Sequence, residues 1–282
     1  MLSLGQRYIL ISSFFFALMN VCVKAIANLP THEIVFFRGL IALGICTVMI
    51  RRKRLSFWGT HKKHLIIRGI AGTCALGLYF YTIRVMPLAS AVTLGTLSPI
   101  FTTVLGCFIA KEGVSPKKLF FYVVAFVGVA LIKGFDPRVS TFEVGLGVLA
   151  AFFAGVAYNM IRLLKDKEDP LIIILYFPLF TVPIVGSYTL SHWVWPTTSE
   201  WLLLGAVGIS VQIAQIYMTK GYQAERASNV AYFNYVGVLL ALLFGYTIFG
   251  EVLTMYSLVG IAVLLVGVIG ATWTKDRRKC EP

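Results

Sequence analysis

The sequence predicts an all-α membrane protein of ten transmembrane helices, arranged as two inverted five-helix repeats with both termini cytoplasmic. Three observations carry that expectation. Long apolar blocks alternate with short connectors, Lys and Arg crowd into every second connector, and the two halves of the chain match each other in register. The composition agrees: residues of the AVILMFWYC set make up 58% of the chain and charged residues 13%. A soluble domain is nearer half apolar and a quarter charged.

The blocks predict helices at about 8–27, 33–50, 66–84, 89–110 and 117–133, then at about 145–163, 171–190, 200–220, 228–249 and 255–273. Most are close to the roughly 20 residues that cross a hydrocarbon layer of about 30 Å. The first block exceeds a signal-peptide core and no small-residue cleavage site follows it, so it is expected to stay attached.

Orientation follows from the basic residues. Nineteen Lys and Arg fall in one set of connectors, including the 51–54 run with Lys62 and Lys63, the group at 162–167 and the tail at 275–279. The other set holds only Arg84, Lys133 and Arg138. Cytoplasmic loops carry the excess of Lys and Arg, which puts both termini inside. The formal charge of +13 is therefore a topology signal, and no nucleic-acid partner is expected. Trp58 and Trp273 fall at inner helix ends and Trp193, Trp195 and Trp201 at outer ends, where indole prefers the headgroup layer.

The internal match runs at a separation of 138 or 139 residues. Asn20 pairs with Asn159, Ala89-Ser90-Ala91-Val92 with Ala227-Ser228-Asn229-Val230, Glu112 with Glu251, and Val127-Gly128-Val129 with Val266-Gly267-Val268. This divides the chain into residues 1–134 and 135–282. Five crossings per repeat force the second copy to insert upside down. Inverted repeats place a binding site near the midplane at their interface and expose it to each side in turn.

At this level the chain resembles the EamA-type ten-helix members of the drug/metabolite transporter superfamily. The resemblance rests on the two-times-five layout, Arg38 of the FFRG stretch, LYFYTIRVMPLASA at the third-to-fourth helix junction, and the Glu112 and Glu251 closures. It implies a bundle with a central cavity that carries amino acids, nucleoside-like metabolites, vitamins or related compounds across the inner membrane.

Polar side chains are costly in hydrocarbon and usually face a bundle interior. The candidate substrate-binding set is Asn20, Tyr79, Tyr81, Thr93, Thr96, Asn159, Gln212, Gln215, Tyr217, Asn229, Tyr232, Asn234 and Tyr235. Amides and phenols suit a planar or amphipathic organic solute, while the bland alternative is hydrogen-bonding glue between helices. Lys24, Glu33 and Arg38 lie toward outer ends and are expected to form an external gate. Glu112 and Glu251 are expected to hold turns, and Arg68 to reach the cytoplasmic interface by snorkelling.

No Asp or Glu lies mid-span, which favours a facilitator or exchanger over proton antiport. The four histidines sit in connectors or at helix ends, and no metalloprotease or nucleophile-elbow motif occurs, so an enzyme is not expected. The five cysteines form no C-x-x-C pair, and no metal or cofactor is expected. A small-molecule substrate and membrane lipids are the expected partners of a monomer. A lipid or amphiphile flippase is the alternative.

Overall fold

A computed structural model of the chain describes residues 3–110, 115–134, 140–164, 167–224 and 236–274. These residues form helices joined by short connectors, with no strand among them. In chain order the helices are α1 (Leu4–Ala25), α2 (Thr31–Arg52), α3 (Lys62–Val85), α4 (Leu88–Gly95), α5 (Ser98–Ala110) and α6 (Pro116–Gly134). They continue as α7 (Thr141–Leu164), α8 (Pro170–Ser191), α9 (Thr198–Ala224), α10 (Val236–Phe249) and α11 (Met255–Trp273).

Seven described spans are long and apolar enough to cross a membrane, with α4 and the start of α5 counted together as Leu88–Gly106; shorter apolar stretches lie in α6, α10 and α11. The faces turned away from the bundle carry Phe14, Phe120, Phe142, Leu202 and Leu239, all exposed. A soluble monomer rarely exposes contiguous apolar surface on that scale, whereas lipid tails solvate it. The protein is an all-helical, multi-pass membrane protein.

Local chemistry sets several helix ends. Ser3 caps α1: its hydroxyl accepts from the Gln6 N–H while the Gln6 side-chain oxygen accepts from the Ser3 N–H. Asp169 caps α8 by accepting from the Leu171 N–H at 2.8 Å, with Pro170 at the first helical position. Proline has no N–H to waste there and its φ suits the helix.

The block expected at 89–110 is one span in two pieces. Pro99 lacks an N–H and its ring crowds the Gly95 carbonyl four residues back, so α4 stops at Gly95. The chain tightens through bonds from the Thr96 N–H to the Thr93 carbonyl and from the Leu97 N–H to the Leu94 carbonyl. The Thr96 hydroxyl donates to the Thr93 carbonyl at 2.6 Å.

The helices pack mainly in the pairs α1–α9, α3–α7, α2–α8 and α6–α11, with α5–α7, α3–α8, α2–α9 and α1–α10 next. Gly128 and Gly267, the glycines of the two Val-Gly-Val matches, let α6 and α11 touch backbone to backbone. A Cβ on Gly128 would meet the Leu264 backbone nitrogen, and one on Gly267 the Ala125 nitrogen, both far inside contact distance. Backbone cannot step aside as a flexible side chain would. Gly128→Val or Gly267→Val is therefore expected to cost about 1–3 kcal/mol by overpacking. The midpoint of unfolding in detergent reads it; an unchanged midpoint would mean that α6 and α11 separate freely.

Candidate functional site

A polar centre forms where α1, α3, α4 and α7 meet. The Asn20 side-chain amide donates to the Tyr79 phenol oxygen at 3.1 Å, while Asn20 Oδ1 is buried with no partner. The end of α4 closes against the same ring, since a Cβ on Gly95 would lie 3.2 Å from Tyr79. Tyr158 of α7 is near enough to act electrostatically on both Tyr79 and Arg68.

Tyr158 is 37% exposed. It stands nine residues, about two and a half turns, from Leu149, which shares the outward face of α7 with Phe142. Tyr158 therefore points to the opposite face, and the surface it exposes looks into the bundle. Half-buried Tyr79 and inward-facing Tyr158 thus bring two phenols toward the centre of the bundle, with the unpaired Asn20 amide oxygen beside Tyr79.

Two buried arginines lie on the neighbouring helices α2 and α3. Arg38 of α2 and Arg68 of α3 are 4% and 6% exposed. The Arg38 guanidinium lies 4.5 Å from the centre of the Phe177 ring and 5.9 Å from that of Phe80; Arg68 lies 5.9 Å from the centre of Phe177. Arg68 thus turns inward along α3 and does not reach the cytoplasmic interface. Gly72, one turn further on, leaves the room: a Cβ there would collide with Arg68 Nη1 and with Phe177.

The expected external trio is divided. Lys24 Nζ pairs with Glu251 Oε1 at 2.7 Å and donates to the Met86 carbonyl at 2.6 Å. The other Glu251 oxygen accepts from the Leu88 N–H at the start of α4, where the helix dipole favours an anion. One carboxylate thereby joins α1, α4 and the α10–α11 connector. Glu33 instead accepts from the Val194 N–H of the α8–α9 connector.

The remaining candidates scatter. Thr93 is fully buried and donates to the Ala89 carbonyl of its own helix. The Asn159 amide donates to the Thr102 carbonyl at 2.9 Å and the Gly155 carbonyl at 3.0 Å, tying α7 to α5. Gln212 donates to Cys46 Sγ across to α2. Tyr217 packs on Tyr8 at 5.6 Å between ring centres, and Gln215 is half-buried. Tyr81 is exposed on the outside of α3. Asn229, Tyr232, Asn234, Tyr235 and Glu112 lie outside the described residues. Residue reading overlooked Tyr158, although it adjoins Asn159, a member of the repeat match.

Two apolar cavities lie away from this centre. One of about 210 Å³ sits beside Glu251 between α4, α10 and α11. The other, about 600 Å³, is a groove between α5 and α6 lined by residues such as Phe101, Leu119 and Phe126. Neither offers the several converging polar groups that orient a metabolite. Among the described residues no cluster of His, Cys, Asp or Glu could hold a metal.

The opposite end of the bundle has its own tie. Glu168 Oε1 accepts from the Thr60 and His61 N–H groups, both at 2.6 Å, and from the Thr60 hydroxyl at 2.7 Å. Burial pushes this carboxyl up, but those donors outweigh burial and hold it below the ordinary 4.5. A carboxylate with a depressed folded pKa stabilises fully above its unfolded value, and the contribution fades as pH falls through the folded value. Glu168→Gln is expected to lower protection of the 56–61 backbone roughly tenfold at neutral pH, as for loss of a charge-assisted bond of about 1.5 kcal/mol. Hydrogen exchange corrected for intrinsic rate measures it. In the unsubstituted chain the same loss should appear only in acid; equal protection in both at neutral pH would contradict the tie.

The model of the EamA-like transporter family matches this chain twice, over residues 3–134 and 141–273. The chain belongs to the EamA-like transporter family. Relatives run nearly end to end with this family member: it is 30% identical over 278 residues to the pseudopaline exporter CntI of Pseudomonas aeruginosa, covering 98% of both chains. It is 26% identical to human solute carrier family 35 member G1, over 96% of this chain and 80% of that one. An S-adenosylmethionine uptake transporter of Rickettsia prowazekii is 22% identical over 66% of this chain and 63% of that protein. One solved crystal structure shares the fold with a TM-score of 0.68 at 16% identity, covering 95% of this chain and 96% of that one. This EamA-like protein is a drug/metabolite-type transporter and not an enzyme.

Proposed function

We propose that the chain carries small organic metabolites, such as amino acids, nucleoside-like compounds or vitamins, across the inner membrane by alternating access. The carriers are two inverted five-helix halves making ten crossings with cytoplasmic termini. The observation that supports the reading is the polar centre of Tyr79, Tyr158 and Asn20 inside the bundle, and we read the Lys24–Glu251 pair as its outer closure.

The packing supports the two-fold. Exchanging α1 with α7, α2 with α8, α3 with α9, the α4–α5 span with α10, and α6 with α11 turns the α1–α9 contact into α7–α3 and α3–α8 into α9–α2. It returns α2–α8 and α6–α11 to themselves. The same family model fits each half separately. Among the described residues, acidic side chains within helices sit in first turns, at Glu33, Glu143 and Glu200. That supports a facilitator or exchanger with no proton carrier in the span.

The groove between α5 and α6 favours a second reading, a flippase of lipids or amphiphiles, because it opens beside exposed apolar residues. It lacks a polar path for a headgroup. Counterflow in proteoliposomes separates the two. Exchange of water-soluble metabolites without an imposed pH gradient, and no acceleration of fluorescent-lipid flip, is the expected result. Accelerated lipid flip with no solute exchange would replace the first reading by the second.

A further inference from the structure

We infer that Arg38 and Arg68 form an oxyanion subsite, so that the transported solutes carry a carboxylate or a phosphate. This rests on the transport reading above and names the chemistry of its substrate. Both guanidinium groups are more than nine-tenths buried, and they share one aromatic ring, Phe177. They are close enough to repel each other. Arg38 Nε and Nη1 and Arg68 Nε have no hydrogen-bond partner. Among the described residues no ion pair involves either arginine.

Buried charges are ordinarily paired or hydrogen-bonded, because an uncompensated one is costly in low dielectric. Two like charges side by side compound the cost. Phe177 attracts cations through its ring face, but a ring neutralises no charge and accepts no in-plane N–H bond. What the pair lacks is an anion with acceptor oxygens in a plane, which a carboxylate or phosphate presents to a guanidinium fork. The oxyanion would reach the pair from the inward face of α7 that carries Tyr158, a phenol near enough to Arg68 to act on it electrostatically. An arriving oxyanion would neutralise the pair while the rest of the solute lies against Tyr79 and Tyr158. The arginines therefore act as a charge filter that selects acidic over neutral or cationic metabolites.

Purified full-length protein in nanodiscs is titrated with amino-acid, hydroxy-acid and aromatic carboxylates, each beside its primary amide, and with phenyl phosphate and chloride. Thermal unfolding reports binding, and counterflow in proteoliposomes reports transport of the same compounds. Stabilisation and exchange by carboxylates, absent with their amides, is the expected result. Phenyl phosphate distinguishes a phosphate-tolerant site from a carboxylate-specific one, and either bears the inference out. Arg38→Gln and Arg68→Gln should each weaken binding at least tenfold, and Arg38→Lys and Arg68→Lys should recover part of it. The selectivity of the unsubstituted protein keeps the test decisive even if a Gln variant fails to insert. Amides that bind as well as acids, Gln variants that bind acids unchanged, or stabilisation by chloride alone would each overturn the inference. Exchange confined to neutral or cationic solutes overturns it too, yet leaves the transporter reading standing. Absence of exchange by every solute would count against both.

Discussion

Glu251→Gln is expected to open the outer end of the bundle and to slow transport more than any other single change. Its carboxylate neutralises Lys24 and accepts from the Leu88 N–H, and both side chains of the pair are nearly buried, at 13% and 14% exposed. Removing one member of a buried pair strands the other, at a cost of about 3–5 kcal/mol. The residual exposure places this pair near the lower end. About 3 kcal/mol is roughly a hundredfold in the balance between outer-closed and outer-open forms, at about 1.4 kcal/mol per tenfold. Cysteines at positions 83 and 86, beside the Lys24 contacts, should then react with external reagent at a much increased rate. The double replacement Lys24→Met with Glu251→Leu should be milder than either single change, because no charge is left stranded. Unaltered labelling in Glu251→Gln would show that the pair closes nothing.

Removing the Tyr79 hydroxyl is expected to weaken transport while the protein still inserts. Tyr79→Phe leaves the Asn20 amide without its acceptor, and Asn20→Ala removes both that donor and the unpaired Oδ1. Losing a buried hydrogen-bonding partner costs roughly 1–3 kcal/mol, or about fivefold to a hundredfold in affinity. Counterflow concentration dependence measures the loss. Gln212→Ala is the informative contrast, because its amide reaches Cys46 between α9 and α2. It should lower the unfolding midpoint and leave the affinity of the remaining transport unchanged. Unaltered kinetics in both Tyr79→Phe and Asn20→Ala would move the site elsewhere.

The helices were legible because lipid solvates them: an apolar block of membrane length has few other fates, and observed bounds fall within a few residues of most expected ones. The family was legible too, from layout and motifs spread along the chain. The block at 89–110 was expected as one helix and breaks at Gly95, because hydropathy does not record which carbonyl a proline ring displaces. Side-chain roles were less accessible. Polarity places a residue in the interior, but helix rotation decides its partner. Asn20 meets Tyr79, while Gln212 meets a cysteine and Tyr81 faces outward. Arg68 carried a signal that connector counting passed over. Lys24, Arg38 and Arg68 are the three basic residues in neither set of connectors. Interface snorkelling was the wrong expectation for Arg68 because Gly72 gives its guanidinium a path inward.

Alternating access is tested most directly at Tyr158, whose exposed surface looks into the bundle. Tyr158→Cys in a cysteine-free background is labelled in sealed, oriented vesicles with a membrane-impermeant thiol reagent from one side and then the other. A second form replaces Lys24 and Glu251 by cysteines and joins them with a short bifunctional reagent, locking the outer end before labelling. The unlocked protein should react from either side as the two forms interconvert, and the locked protein from the cytoplasmic side alone. Labelling from outside that persists when the outer end is locked would contradict a central site reached from one side at a time.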